Sequence, residues 1–175
     1  MSGPVAMADQ SPGGAVAHAA IRSLRREDRE PLLAILRATQ VFSPEEIAVA
    51  LELIDAVLDR PDQRDYIIFV YEEGGAVLGY YCVGPTPATV ATYDLYWIAV
   101  SPALHGRGVG TALNEHAEAL IRSRGGKLIM VETSSRKEYE PTRAFYRRRG
   151  YQELARVADY YRPADDLVIF GKYFP

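Results

Sequence analysis

Three glycines stand at alternate positions in His105-Gly106-Arg107-Gly108-Val109-Gly110-Thr111, between an aromatic and β-branched run, Thr92 to Val100, and an amphipathic stretch. A residue without a Cβ lets main-chain N–H groups come close to a ligand. The first amides of a helix have no partner inside it, and the dipole adds roughly half a positive charge at that end. Strand, glycine loop and helix start together predict a phosphate cradle made by amides from about His105 to Thr111. The glycines do not follow the order G-x-G-x-x-G and no Gly-Lys-Ser/Thr closes the loop, which disfavours a dinucleotide-binding unit and a Walker-type site.

The elements that must position this loop are readable in chain order. Ala20-Ile21-Arg22-Ser23-Leu24 alternates and predicts a first strand; Arg25 to Ala38 carries Leu32, Leu33, Ile35 and Leu36 on one helical face. Ser43-Pro44-Glu45-Glu46 is a helix start, with Ser43 as cap, Pro44 in the first turn and two acids at the positive end of the dipole. The apolar stripe of that helix runs on to Pro61. Asp65 to Tyr71 and Ala76 to Val83 form a hairpin around Glu72-Glu73-Gly74-Gly75, and Gly84-Pro85-Thr86-Pro87 breaks the pattern before the central strand, which Ser101-Pro102 ends. A helix over about Gly108 to Arg124 stops at Gly125-Gly126. Lys127 to Thr133 is a buried strand, apolar on both sides, and Pro141 to Tyr151 a short helix stopped by Gly150. Glu153 to Val157 and Asp166 to Tyr173 are the last strands, separated by the segment Asp159 to Asp165.

A chain of 175 residues suits one domain that buries about two-thirds of its unfolded surface. Residues 1–18 are rich in Gly, Ala, Ser and Pro with hardly any charge, the composition of a disordered leader, and lack the basic start and apolar core of a secretory signal. The domain therefore spans residues 19–175. Apolar runs are too short to cross a membrane, and a net charge of -3 argues against nucleic acid as an obligatory partner. One cysteine, Cys82, makes no internal disulfide and fits a reducing compartment, so the cytoplasm is the default expectation. His18, His105 and His116 have no metal-ligand spacing, and no metal is expected.

Val100-Ser101-Pro102 followed by His105-Gly106-Arg107-Gly108-Val109-Gly110 and Leu113 resembles the acetyl-CoA signature Q/R-x-x-G-x-G/A of the GNAT superfamily of N-acetyltransferases, with His105 at the first position. Ala144-Phe145-Tyr146 and Gly150-Tyr151 are similar to the second half of that signature; Tyr139 stands where the family often has Asn. The resemblance covers about Ile21 to Phe174. It implies an α/β fold, a central mixed and mostly antiparallel sheet of about seven strands flanked by about four helices. It also implies acetyl-CoA as cosubstrate and transfer of the acetyl group to a primary amine by direct attack in a ternary complex.

Within that resemblance each residue takes a role. Ile98, Ala99 and Val100 would lie where the central strand splays from its neighbour and offers main-chain groups to the pantetheine arm, one N–H there holding the thioester oxygen as charge develops. Tyr146 would protonate the departing thiolate as general acid. Asp94, four residues before Ile98, shares its face in a regular strand and is the candidate base; Glu132, ending a buried strand, is the reserve. Arg143 and Arg147, one turn apart, could meet the ribose phosphate, although cations at a helix C-terminus serve the dipole equally well. A covalent route through Cys82 is disfavoured because no His stands near it in sequence. The second reading is a catalytically silent acyl-CoA-binding domain, a sensor or structural module; retention of Tyr146 and Asp94 favours the enzyme. The acceptor, a small-molecule or peptide amine, is not specified by the residues, and for assembly a homodimer is only the commonest arrangement.

Overall fold

Local signals and tertiary structure agree at most element ends. A computed structural model describes residues 19–175; the leader read over residues 1–18, and His18 with it, lies outside the described residues. The elements are β1 Ala19–Ser23, α1 Arg29–Ala38, α2 Pro44–Asp59, β2 Ile67–Glu73, β3 Ala76–Pro85, β4 Thr92–Val100, α3 Val109–Ser123, β5 Leu128–Ser134, α4 Glu140–Arg148, β6 Gln152–Arg162 and β7 Asp165–Tyr173. Ser43 accepts from the Glu46 N–H at 3.2 Å while the Glu46 carboxylate accepts from the Ser43 N–H at 2.7 Å, a capping box that explains where α2 starts. Gly74 and Gly75 both have positive φ, as a two-residue turn between twisted strands requires.

The seven strands form one sheet in the order β1-β2-β3-β4-β5-β7-β6. Every neighbouring pair is antiparallel except β4 and β5. Alternation along β3 serves two cores. Tyr80 and Cys82 join Leu32, Leu36 and Ile54 under α1 and α2, whereas Tyr81 and Val83 join Leu113, Ile121 and Tyr146 under α3 and α4. Each such fully buried large side chain contributes about 1.5–3 kcal/mol. Among the described residues no helix is long and apolar enough to cross a membrane.

Two features shape the middle of the sheet. Cys82 pairs with Trp97 but Val83 pairs with Leu95, so Tyr96 is an extra residue in β4. The bulge turns Tyr96 and Trp97 to the α1/α2 side together, while Leu95 and Ile98 pack on the α3/α4 side. This corrects the expectation that Asp94 shares a face with Ile98. The expectation assumed a regular strand, and the inserted residue inverts the alternation between them. The second feature is that β4 and β5 pair only over Thr92–Asp94 and Leu128–Met130 and then separate, β4 staying with β3 and β5 with β7.

At the far edge, β6 extends beyond the expected Val157. Val157 pairs with Leu167 and Arg162 with Asp165, leaving a wide bulge between. Asp159, at φ 53°, donates its N–H to Asp166 and accepts from the Ala164 N–H, so its side chain replaces the missing ladder bonds and the strand resumes.

Candidate active site

Where β4 and β5 separate they open a cleft of about 800 Å³ lined by Leu95 to Val100 on one wall and Val131 to Ser134 on the other. The α1–α2 connection, α4 and the β6–β7 turn complete it. The Ser101 N–H donates to the Leu78 carbonyl on β3 at 2.8 Å. Strand alternation then turns the Ala99 main chain to β3 as well, and leaves the N–H and C=O groups of Ile98 and Val100 on the edge that β5 has vacated. Of the three residues expected to meet a pantetheine arm, Ile98 and Val100 thus offer main-chain groups to the cleft, and Ala99 packs its side chain into the α1/α2 core.

The glycine loop meets the same cleft at His105. After a 3-10 turn over Pro102–Leu104, the His105 N–H donates to Pro102 at 3.2 Å and the Arg107 N–H to Leu104 at 3.1 Å. Those two amides are spent within the turn. The cradle expected over His105 to Thr111 therefore narrows to the amides of Gly106, Gly108, Val109, Gly110 and Thr111, which have no hydrogen-bond partner among the described residues; the first helical bond runs from the Ala112 N–H to the Gly108 carbonyl at 2.9 Å. Gly106 and Gly108 have φ of 81° and 82°, and Gly108 caps α3 without any side chain. A helix start with no capping side chain and a left-handed glycine on its rim fits an anion supplied from outside. The Arg107 guanidinium turns away to Glu73 at 3.5 Å, and His105 lines the cleft.

Tyr146 on α4 lies at the foot of the cleft, only 2% exposed, its ring against Phe145 and Tyr151. Burial pushes its phenol pKa up, so the hydroxyl keeps its proton at neutral pH. Arg143, for which a ribose phosphate contact and a dipole-serving surface cation were both open, is instead buried and braces the cleft floor. It donates to the carbonyls of Ser134 and Arg136 at 2.5 and 2.9 Å and pairs with Glu140 at 2.6 Å. Arg147 shares Glu140 and lies over the Phe170 ring. The two guanidinia are used by the protein itself, a role that helix spacing alone does not reveal.

Asp94 and Glu132 are near enough to interact but stand differently. The Asp94 carboxylate accepts from the Thr86 hydroxyl at 2.8 Å where β4 and β5 are still paired, and it does not line the cleft. Glu132 lines it and, among the described residues, has neither a hydrogen bond nor an ion pair. Burial first, then the Asp94 charge, raises its pKa. Tyr139, a position the sequence left without a role, donates its hydroxyl to Glu46 at 2.9 Å and so ties the start of α2 to the approach to α4 across the cleft. Trp97 Nε1 and Thr133 Oγ1, on opposite walls, are buried without a partner among the described residues. Cys82 is fully buried, which pushes its thiol up to about 12 and removes it as a nucleophile. Among the described residues no group of three His, Cys, Asp or Glu side chains is arranged to hold a metal ion.

Residues 64–153 match the family profile described as an acetyltransferase (GNAT) domain. The chain belongs to the GNAT family. A crystal structure from Desulfovibrio desulfuricans, assigned to GNAT acetyltransferases, is 38% identical with a TM-score of 0.86 over 89% of this chain and 99% of that one. The GNAT fold recurs in the ribosomal-protein-S18-alanine N-acetyltransferase of Escherichia coli, at 19% identity and TM-score 0.72 over 89% of this chain and 94% of that one. It recurs again in an N-acetyltransferase of Thermoplasma acidophilum in complex with coenzyme A, at 17% identity and TM-score 0.68 over 90% of this chain and 99% of that one. Among proteins of curated function none matches the sequence. As a GNAT member the chain is an N-acetyltransferase, and the splayed β4–β5 pair and glycine loop described above are its family fold.

Proposed function

We propose that this GNAT protein moves the acetyl group of acetyl-CoA to a primary amine by direct attack, with both substrates in the cleft. The observation that carries this reading is convergence: Ile98 and Val100 with their free main-chain edge, Tyr146, and His105 at the head of the glycine loop line one cavity, and the five unpartnered amides of Gly106–Thr111 follow His105 directly in that loop. The amides of the loop would hold the pyrophosphate, and the β4 edge would hold the pantetheine amides. Bound acetyl-CoA supplies an activated thioester carbonyl. The N–H of Ile98 or Val100 would hold the acyl oxygen as negative charge grows on it.

The chain's own groups then move two protons. An ammonium cannot attack, so a carboxylate takes its proton first; Glu132 is the better base than Asp94 because it faces the cavity unpaired with its basicity raised by burial. Asp94 stands behind it as a fixed neighbouring charge. Tyr146, kept protonated by burial, would give its phenolic proton to the departing thiolate as the C–S bond breaks, and would regain one from the second proton that the nitrogen sheds once the C–N bond has formed. The buried Cys82 thiol supports a route without an acyl-enzyme, and the lone reduced cysteine supports a cytoplasmic setting. A homodimer is supported by the exposed Leu154, Val157, Tyr160 and Tyr161 on the edge strand β6, and sedimentation tests it.

Thiol release from acetyl-CoA across an amine panel tests the transferase, with calorimetry on CoA in parallel. Binding together with amine-dependent thiol release is the expected result. Binding with no turnover on any amine would instead support the silent acyl-CoA-binding domain.

A further inference from the structure

We propose that the acceptor is a polycationic amine with no carboxylate beside its attacked nitrogen, an inference that rests on the transferase reading above. It follows from how the charges in the cleft are used. Four carboxylates line it, Glu45, Glu46, Glu132 and Asp165, against two guanidinia, Arg136 and Arg162. Both guanidinia are committed to Asp165, at 3.3 and 3.4 Å, and Asp165 also accepts from the Ser134 hydroxyl. Glu46 is occupied as well, by the Ser43 N–H and the Tyr139 hydroxyl.

Among the described residues no cation pairs with Glu132, Glu45 or Glu46, and of the three only Glu46 is held across the cleft, by Tyr139, so Glu132 and Glu45 are the negative charges left to face a substrate. Glu45, in the first turn of α2, stays ionised because its own main-chain N–H and the Ser43 side chain hold its carboxyl below the usual range. A substrate that brings one ammonium to Glu132 and a second positive charge toward Glu45 satisfies both. A substrate carrying a carboxylate next to its amine finds no free guanidinium and meets Glu132 as a like charge. Methylene segments of such an amine suit the apolar part of the wall, where Phe42 and Trp97 pack at 5.2 Å, and a cation also gains from the face of an aromatic ring.

The test uses matched amines with the intact protein and acetyl-CoA, read as kcat/KM for thiol release. Against 1,4-diaminobutane, 1-butylamine differs by one ammonium, and norvaline differs from 1-butylamine by one carboxylate beside its single amine. 1-Butylamine should exceed norvaline by about 30-fold, the effect of one like charge ~8 Å away at an effective dielectric of ~20. The diamine should exceed the monoamine by about 10-fold, within the range for a hydrogen bond to a charged group. Glu45→Gln, on the rim and outside the proton-transfer groups, should raise KM for the diamine several-fold with kcat unchanged and leave the monoamine unaffected. Norvaline equal to or better than 1-butylamine overturns the inference alone, as does a Glu45→Gln protein with an unchanged diamine-to-monoamine ratio. No thiol release with any amine, in protein that binds CoA, overturns the transferase reading and this inference with it.

Discussion

Replacing Tyr146 by Phe removes one oxygen and keeps the ring, so stability and chemistry can be separated. The ring is 2% exposed and contacts Phe145, Tyr151 and Phe170, all of which the phenyl group retains. The hydroxyl makes no hydrogen bond to another described residue, and burial is the sole cause of its raised pKa. A buried hydroxyl without a partner costs about 1–3 kcal/mol, and partial access through the cleft reduces that cost. Tyr146→Phe should therefore fold as well as wild type or better, with Tm unchanged or raised by about 2–4 °C per kcal/mol. The chemical step should respond in the opposite sense. Without the phenol the thiolate departs unprotonated and loses a hydrogen bond to a charged atom, about 1.5–3 kcal/mol, which slows the step by about 10- to 150-fold. Rapid-mixing measurement of thiol release at saturating acetyl-CoA isolates that step, and calorimetry with CoA shows whether binding is preserved. A Tyr146→Phe protein with wild-type stability and a thiol-release rate within about twofold of wild type refutes the acid role. A protein that loses Tm shows instead that the hydroxyl belongs to a structural network. Tyr146→Ala serves as the contrast, since emptying this site should cost about 3–5 kcal/mol and mix both effects.

Gly108→Ala meets no atom within 4 Å, so its cost is conformational: at φ +82° an L side chain is strained by about 1–2 kcal/mol. The expected outcome is a small fall in Tm and about 10-fold weaker CoA binding by calorimetry, because the amides on either side of the residue turn away. Glu132→Gln should abolish the acid limb of the kcat/KM profile. That limb rises with pH as the carboxyl, whose pKa is raised, loses its proton, and a flat, low profile is expected for the amide. The same raised pKa means the ionised carboxylate is less favourable folded than unfolded, so stability falls as pH climbs through it. Glu132→Gln should accordingly be at least as heat-stable as wild type at neutral pH. Asp28 behaves with the reverse sign. Its carboxylate is 1% exposed, and although burial alone would raise its pKa, bonds from Arg22 at 2.7 and 2.9 Å and from the Arg25 N–H hold it below the usual range. Stability from this pair is present above about pH 4 and lost as pH falls through the depressed pKa; Asp28→Asn should cost about 2–4 kcal/mol in urea titration at neutral pH.

The order and type of the elements were legible because each has a short-range cause: Ser43-Pro44-Glu45-Glu46 caps α2, Gly74-Gly75 turns β2 into β3, and Gly106 and Gly108 supply the positive φ before α3. The run of unpaired amides at the start of α3 was legible for the same reason, since unpaired donors at a helix start follow from local geometry. Other features depend on partners distant in the chain and could not be read that way. The extra residue at Tyr96 shows only when β4 is laid against β3, and it moved Asp94 off the face of Ile98. Arg143 looks like a surface cation in its helix, yet it reaches back to Ser134 and Arg136. The Tyr139 to Glu46 bond joins residues 93 positions apart. Composition and spacing thus determined the elements and the loop of unpaired amides before α3, because capping, turns and periodicity act within a few residues. Which carboxylate faces the cleft, and which charges within it remain unspent, was decided only when β4 and β5 parted, because the pairing of a charge depends on atoms the chain brings together in space.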